Sequence, residues 1–444
     1  MGRAVYRDVA SNVSFIVTLP AGLSTLKQLL SNRNYGLYVL GHWTGNIGMW
    51  VQRLAIGWLT WELTKSFGWL GVIAFADQVP SILFGVIAGA VVDRVDYMKI
   101  LRLTQALTCL HCAVLAVLTL GGGMDIWLLL AMTLIRGVLT AFNRPSRMTV
   151  VYVLVGRDLL PAALAFNSMI FNSSRFFGPA LGGAIMATSG VGWTFAVSAA
   201  AIFVFSVTLH LIRIGPMPKR TGATVSLINE SVAGVRYAFR HTGIGLMLVI
   251  LVFVSLFARP VTDLLPGFVA DIFARGPEAL AVLLISQSIG AMSGGLWLTS
   301  RSGGITGLTT VMMVTMLFMG AVLLLFSLTT TFWVGCVLVG LLGFSFNVQA
   351  ISNQTLIQYA VDPAMRGRVV GLHGLIARGV PALGALVMGV IADHLGLAVP
   401  LGLGAGICLV LWLWVWRQRK ALVAALEVEP DGKPLPQVAD VDRD

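Results

Sequence analysis

Apolar residues run along this chain in long blocks, separated by short breaks rich in Gly, Pro, Asp and basic residues. A helix needs about 20 apolar residues to cross the hydrocarbon core of a bilayer, and the blocks match that length. Twelve are read, at 36–61, 69–92, 100–121, 126–150, 163–187, 193–214, 243–269, 279–299, 306–328, 332–357, 369–393 and 398–416. Pro145 offers the fourth an earlier end near Ala141. The pattern predicts an all-α integral membrane fold of twelve transmembrane helices in two six-helix repeats, with halves at 36–214 and 243–416. Residues 1–35 are a polar lead-in, 215–242 the loop joining the halves, and 417–444 a polar tail expected to be disordered. Within the loop, Leu227, Val232, Val235 and Ala238 recur at helical spacing, so Val225 to Phe239 is predicted to be an amphipathic helix on the membrane surface.

One block breaks the apolar rule. The stretch Ser174 to Gly183 puts Arg175, Pro179 and the glycines 178, 182 and 183 inside a membrane segment. An intramembrane Arg is costly and normally faces protein or water. Gly178 and Gly182 form a small-xxx-small pair that lets two helix backbones approach. Pro179 removes a helix hydrogen bond and bends the segment. The pattern returns at Arg378, Pro381 and Gly384, and the step from Pro179 to Pro381 is close to half the chain. A repeat on that scale predicts two copies of one half.

Composition agrees: 57% of residues are hydrophobic and 11% charged, with mean hydropathy +0.87, against about 25% charged in soluble domains. A β-barrel would show short alternating segments instead. The net charge of +11 is an orientation signal and needs no nucleic acid to explain it. Of the 30 Lys and Arg, 23 fall on one side if the N-terminus is inside; only Lys65 and Arg275 fall on the other, and Arg53, Arg136, Arg175, Arg259 and Arg378 lie within helices. That bias predicts a multi-pass protein of the cytoplasmic (inner) membrane with both termini cytoplasmic. Four cysteines suggest no disulfide framework. Val13 to Leu19 is too short and too interrupted to read as a cleavable signal.

Three motifs stand out against this frame. Between the second and third blocks lie Gly89, Asp93, Arg94, Asp96 and Lys99; in the fourth block lie Leu134, Ile135, Arg136 and Gly137; in the fifth lies the Gly178-Pro179 to Gly182-Gly183 stretch. Together they resemble the major facilitator superfamily. The arginines and prolines at 144–147 and 366–368 are similar to its enterobactin-exporter and macrolide-efflux branch. The resemblance spans nearly all of 36–416. It implies that Gly89, Asp93 and Arg94 form a conformational latch, with Asp93 capping a helix of the other half. Gly89, with Gly85, would allow close helix contact there. It implies that Arg136 assists proton transfer and that the fifth-helix motif belongs to antiporters that export. Asp96 stands where many members have Gly, the Gln-Gly usual after Arg136 is missing, and the site matching the latch in the second half, 295–301, lacks the Asp.

Proton coupling needs a side chain that titrates inside the membrane. Asp77 and Arg53 lie on adjacent helices, each about eight residues or 12 Å from the same membrane face, so they are expected to pair and to switch on protonation. Arg136 and His111 are further coupling candidates. Arg259 and Asp263 stand at i and i+4, on one helical face, as a possible outer gate. Cys109, His111 and Cys112 offer too few convergent ligands for a metal, and no cofactor is expected. Trp50, Gln52, Gln105, Asn172, Gln287, Asn347 and Gln349 are candidates for the substrate cavity. Five intramembrane Arg face two clear Asp, an excess that favours an anionic or zwitterionic solute. The expected function is alternating-access export of a small siderophore-like or amphipathic molecule, drugs included, driven by proton antiport. The expected partners are that solute, protons and lipid, the state a monomer. An importer or lipid flippase on the same fold, or a non-transporting sensor or scaffold, is the alternative. The absence of a P-loop, a His/Glu metal pattern and a nucleophile elbow argues against an enzyme.

Overall fold

The computed structural model describes residues 19–213, 227–301 and 304–427. These form fifteen α-helices and no β-strand. They are α1 (Leu19–Ser31), α2 (Arg33–Thr64), α3 (Phe67–Arg94), α4 (Tyr97–Leu120), α5 (Ile126–Ser189), α6 (Val191–Leu211), α7 (Leu227–Arg240), α8 (Thr242–Phe257), α9 (Val261–Gly267), α10 (Pro277–Thr299), α11 (Leu308–Leu328), α12 (Phe332–Ala360), α13 (Arg366–Leu395), α14 (Ala398–Arg417) and α15 (Arg419–Leu426). A wider π-helical turn, Phe268–Ile272, follows α9.

Ten helical segments among the described residues are long and apolar enough to cross a membrane. The 64-residue α5 bends at Gly156, whose φ of 72° and ψ of −176° are not helical, so it holds the fourth and fifth expected spans. The first expected span corresponds to α2, 32 residues long and less apolar than the ten. A left-handed φ is cheap only for glycine, which is why the bend falls there and not at Pro145. The fourth span therefore runs past Ala141 without a break.

Side-chain capping explains several helix starts. Asn32, Ser66, Asp96 and Asp125 each accept backbone N–H groups at the head of α2, α3, α4 and α5, satisfying donors the helix leaves open. The seventh expected span is broken. α8 stops at Phe257, and the chain restarts after Pro260 as α9, because Pro260 and Pro266 cannot supply regular helix hydrogen bonds.

The tail expected to be disordered begins with a helix. Leu422 and Leu426 of α15 are buried, and a Cβ at Gly243 would lie 2.7 Å from Leu426. The Glu427 carboxylate accepts from the backbone N–H of Gly307 at 2.7 Å and of Thr309 at 2.8 Å, capping α11. Helix α7 lies where the amphipathic helix is predicted. It packs on the bundle: Ala238 is fully buried, and the Tyr237 hydroxyl donates to Asp362 at 3.0 Å. Residues 1–18, 214–226, 302–303 and 428–444 lie outside the described residues.

Helices α2 to α6 pack on one another, as do α8 to α14. The two groups meet chiefly through α3 against α13 and α5 against α10, with α9 reaching α2 and α3. The contact of α3 with α13 is tightest at one end. A Cβ at Gly389 would sit 2.3 Å from the Phe67 carbonyl oxygen, one at Gly71 2.3 Å from that of Ala385, and one at Gly183 2.2 Å from the Ala281 Cβ. At the other end of α3 and α13, a Cβ at Gly85, Gly89, Gly367 or Gly371 would meet nothing within 4 Å. The expected close packing at Gly85 and Gly89 is thus absent in this conformation, because α3 and α13 part below Ile82 and Gly379, which still touch.

Candidate functional site

Where the two helix groups diverge lies a cavity of about 390 Å³, within the few hundred cubic ångströms typical of small-molecule sites. Its wall carries six guanidinium groups, of Arg53, Arg136, Arg144, Arg175, Arg259 and Arg378, and two carboxylates, of Asp77 and Asp263. Trp50, Phe171 and Phe346 supply aromatic surface.

The pairings differ from the sequence expectation. Arg136 of α5 holds Asp77 of α3 in an ion pair, and the second oxygen of Asp77 accepts from Gln78 Nε2 at 2.8 Å. Gly137 makes this possible. A Cβ there would lie 2.9 Å from the Asp77 carbonyl oxygen and 2.8 Å from Pro80 Cγ, so only glycine lets α5 approach α3 this closely. Arg53 of α2 instead pairs with Asp263 of α9 at 2.8 Å, across the two helix groups. Arg53 and Asp77 line the same cavity, but Asp77 is turned toward α5.

Arg259 and Asp263 do not form an i, i+4 pair, because the helix is interrupted between them. Arg259 donates to the Phe346 carbonyl at 3.3 Å and lies over the Phe346 ring at 5.6 Å. The Trp50 ring has Arg53 at 5.6 Å and Arg175 at 5.7 Å, and packs edge-on to Phe171. The Arg175 carbonyl accepts from Ser288 of α10 at 3.1 Å, a further link between the groups.

The glycines of the fifth-helix motif form a seam. A Cβ at Gly178 would lie 2.4 Å from Trp50 Cβ, and one at Gly182 3.4 Å from Val51 Cα, so both face α2; Gly183 faces α10. The echo repeats the arrangement in the second half: Gly384 lies against the Leu256 carbonyl of α8, 2.2 Å from where a Cβ would be. Pro179 and Pro381 both line the cavity.

Of the cavity candidates, Trp50, Gln287 and Asn347 line it, with Gln287 donating to Thr262 at 2.8 Å and Asn347 to the Ala291 carbonyl at 2.6 Å. The others do not line it. Gln52 and His111 contact each other at 3.3 Å, and His111 Nε2 lies 2.9 Å from the Met132 carbonyl, so this residue ties α2, α4 and α5 together away from the cavity. Gln105 accepts from Asn143, Asn172 donates to the Ser168 carbonyl, and Gln349 is buried elsewhere. The side chains of Asp93 and Arg94 lie outside the described residues. Arg144 was expected among the cytoplasmic segments and lies in the cavity wall. Its place at the polar end of an apolar run gives no sequence signal; only the unbroken helix through Pro145 carries it inward.

A family model described as "Transmembrane secretion effector" matches residues 30–439. The chain belongs to the transmembrane secretion effector family of the major facilitator superfamily. This transporter is 25% identical over 359 residues to the staphyloferrin A transporter of Staphylococcus aureus, covering 79% of this chain and 87% of that one. It is 26% identical over 364 residues to the multidrug efflux pump Tap of Mycolicibacterium fortuitum, covering 80% and 88%. Its fold matches the crystal structure of the nucleoside transporter NupG with a TM-score of 0.65 at 14% identity, covering 88% of this chain and 99% of that one. The resemblance to an efflux branch of the superfamily therefore holds, and the chain is a membrane transporter of small molecules and not an enzyme.

Proposed function

We propose that this transporter exports a small organic molecule across the cytoplasmic membrane by alternating access and proton antiport, with twelve spans, both termini cytoplasmic and the monomer as the working unit. The closed end of the bundle is then external, and the cavity opens to the cytoplasm. The excess of basic residues on the side of the termini supports that orientation.

The observation that carries the reading is the ion pair between Asp77 and Arg136 in the cavity wall. An acid there is reached by proton and solute from the same side. Protonation of Asp77 releases Arg136 toward the cavity, so occupancy by a proton changes the surface the solute meets. The relatives named for siderophore transport and for multidrug efflux support an organic cargo.

Uptake into inverted membrane vesicles, across a panel of anionic and cationic solutes, tests this. Accumulation should depend on an acid-inside gradient, collapse when the gradient is dissipated, and lose that dependence in Asp77→Asn. Coupled transport that is unchanged in Asp77→Asn would overturn the coupling role, and accumulation only in right-side-out vesicles would overturn export.

A further inference from the structure

The charge in the cavity is not balanced. Arg53 and Arg136 have carboxylate partners. Arg144, Arg175, Arg259 and Arg378 have none among the described residues, although all four line the same 390 Å³ space. They come from both groups of helices, Arg144 and Arg175 from α5, Arg259 from the break before α9 and Arg378 from α13. Among the described residues Arg175 has only the Trp50 ring against its guanidinium, and Arg259 has one backbone carbonyl and the Phe346 ring, its Nε left without a partner. The indole N–H of Trp50 is also out of solvent and without a partner.

Unpaired cations in a part-desolvated cavity are costly to keep. Guanidinium presents planar donors that fit carboxylate or phosphate oxygens in pairs. A single acid group cannot satisfy four such cations placed around one space. We infer that this cavity takes a small molecule bearing at least two carboxylate groups, held by Arg144, Arg175, Arg259 and Arg378, with a flat or apolar portion against Trp50 and Phe346. Carboxylate and phosphate oxygens both fit such donors, and the comparison of citrate with phosphate below decides between them.

The inference rests on the cavity being the solute's route and not on the coupling ion. An anion leaving the cytoplasm already moves down the membrane potential, which is worth about 2.3 kcal/mol per charge per 100 mV. Protonating Asp77 makes the cavity more positive and by itself favours an anion. The exclusion that antiport needs would therefore lie in which loaded forms change conformation.

Binding is measured on purified full-length protein in detergent, with no transport step, so its result stands apart from the vesicle assay. The probes are citrate, acetate, inorganic phosphate and the cation ethidium, read by calorimetry and by quenching of tryptophan fluorescence. Citrate should bind, at least tenfold more tightly than acetate or phosphate. Arg175→Gln and Arg378→Gln should each weaken citrate about ten- to a hundredfold, the loss of one charged hydrogen-bonding partner. Arg175→Lys should recover part of that loss, which controls for folding. Trp50→Phe should lose most of the quench. Binding of ethidium but not citrate, citrate affinity unchanged in both Gln variants, or phosphate bound more tightly than citrate would overturn the assignment. Vesicle export that fails while citrate binding succeeds would overturn the transport direction and leave the ligand class standing.

Discussion

Asp393 accepts a hydrogen bond from Ser66 at 2.6 Å across the two halves of the chain. Its carboxylate also takes the backbone N–H of Phe67 at 2.6 Å and of Gly68 at 3.1 Å. An acid at the end of α13 thus caps the first turn of α3, where the helix dipole and the open N–H groups favour negative charge. Helix α3 itself carries Asp93 one residue before its end, at the opposite end of the bundle. Each of two antiparallel helices therefore carries an acid near its C-terminus, and Asp393 caps the helix facing it.

The first prediction concerns this cap. Removing a capping side chain costs about 1–2 kcal/mol, enough to move a two-state equilibrium about 5- to 30-fold. Asp393→Ala should shift the population toward a form open at the Ser66 end. With the four native cysteines replaced, spin labels at Lys65 and Leu395, both exposed, should show a longer distance in the variant. An unchanged distance distribution would mean that the cap does not hold the halves together.

The second prediction concerns Arg53 and Asp263, which link the halves inside the cavity. The Arg53 side chain is 45% exposed and Asp263 19%, so water screens the pair and its coupling should be about 1 kcal/mol or less. Arg53→Gln and Asp263→Asn should each slow transport, and the charge-reversed pair Arg53→Asp with Asp263→Arg should recover part of the loss. A double-mutant cycle on transport rate measures the coupling. Effects that simply add would show that the two residues act separately.

How far the sequence could foretell this site depends on the kind of fact. Apolar block length marks where helices cross, because hydrophobic thickness sets helix length. Gly178 and Gly384 announce tight seams, because only glycine permits contact at those distances. Which residues meet is a matter of helix rotation, and depth alone cannot give it. Arg53 and Asp77 line the same cavity yet point to different neighbours. Asp263 escaped because the chain breaks at Pro260, so a spacing of four no longer means one face. The role of Asp393 depends on α3 arriving beside it, which the order of apolar blocks does not show.

The third prediction separates the ion pair of Asp77 and Arg136 from the packing that makes it. Gly137→Val should break the pair without touching a charge, since overpacking of this contact costs about 1–3 kcal/mol. It should lower thermal stability and impair coupling together. Asp77→Asn combined with Arg136→Gln removes both charges and should keep stability close to the parent while coupling is lost. Thermal unfolding beside vesicle transport distinguishes them. A coupled double variant would place proton transfer elsewhere.

The fourth prediction uses the glycines along α3 and α13. Gly71 and Gly89 are 18 residues apart, as are Gly371 and Gly389, and 18 residues are five helical turns, so each pair lies on one face. At one end the glycines are packed, Gly71 on Ala385 and Gly389 on Phe67; at the other, a Cβ at Gly89 or Gly371 would meet nothing within 4 Å. In alternating access the same two faces close at the second end when the first opens, so a wedge should act oppositely at the two ends. Gly389→Val cannot fit the present packing and should favour the form open at the Ser66 end. Gly371→Val costs nothing in the present form and should trap it, by blocking closure of the other end. Both should slow transport, while the labels at Lys65 and Leu395 move apart in the first and keep the closed-end distance in the second. The same direction of shift in both variants would mean that α3 and α13 do not exchange contact between their ends.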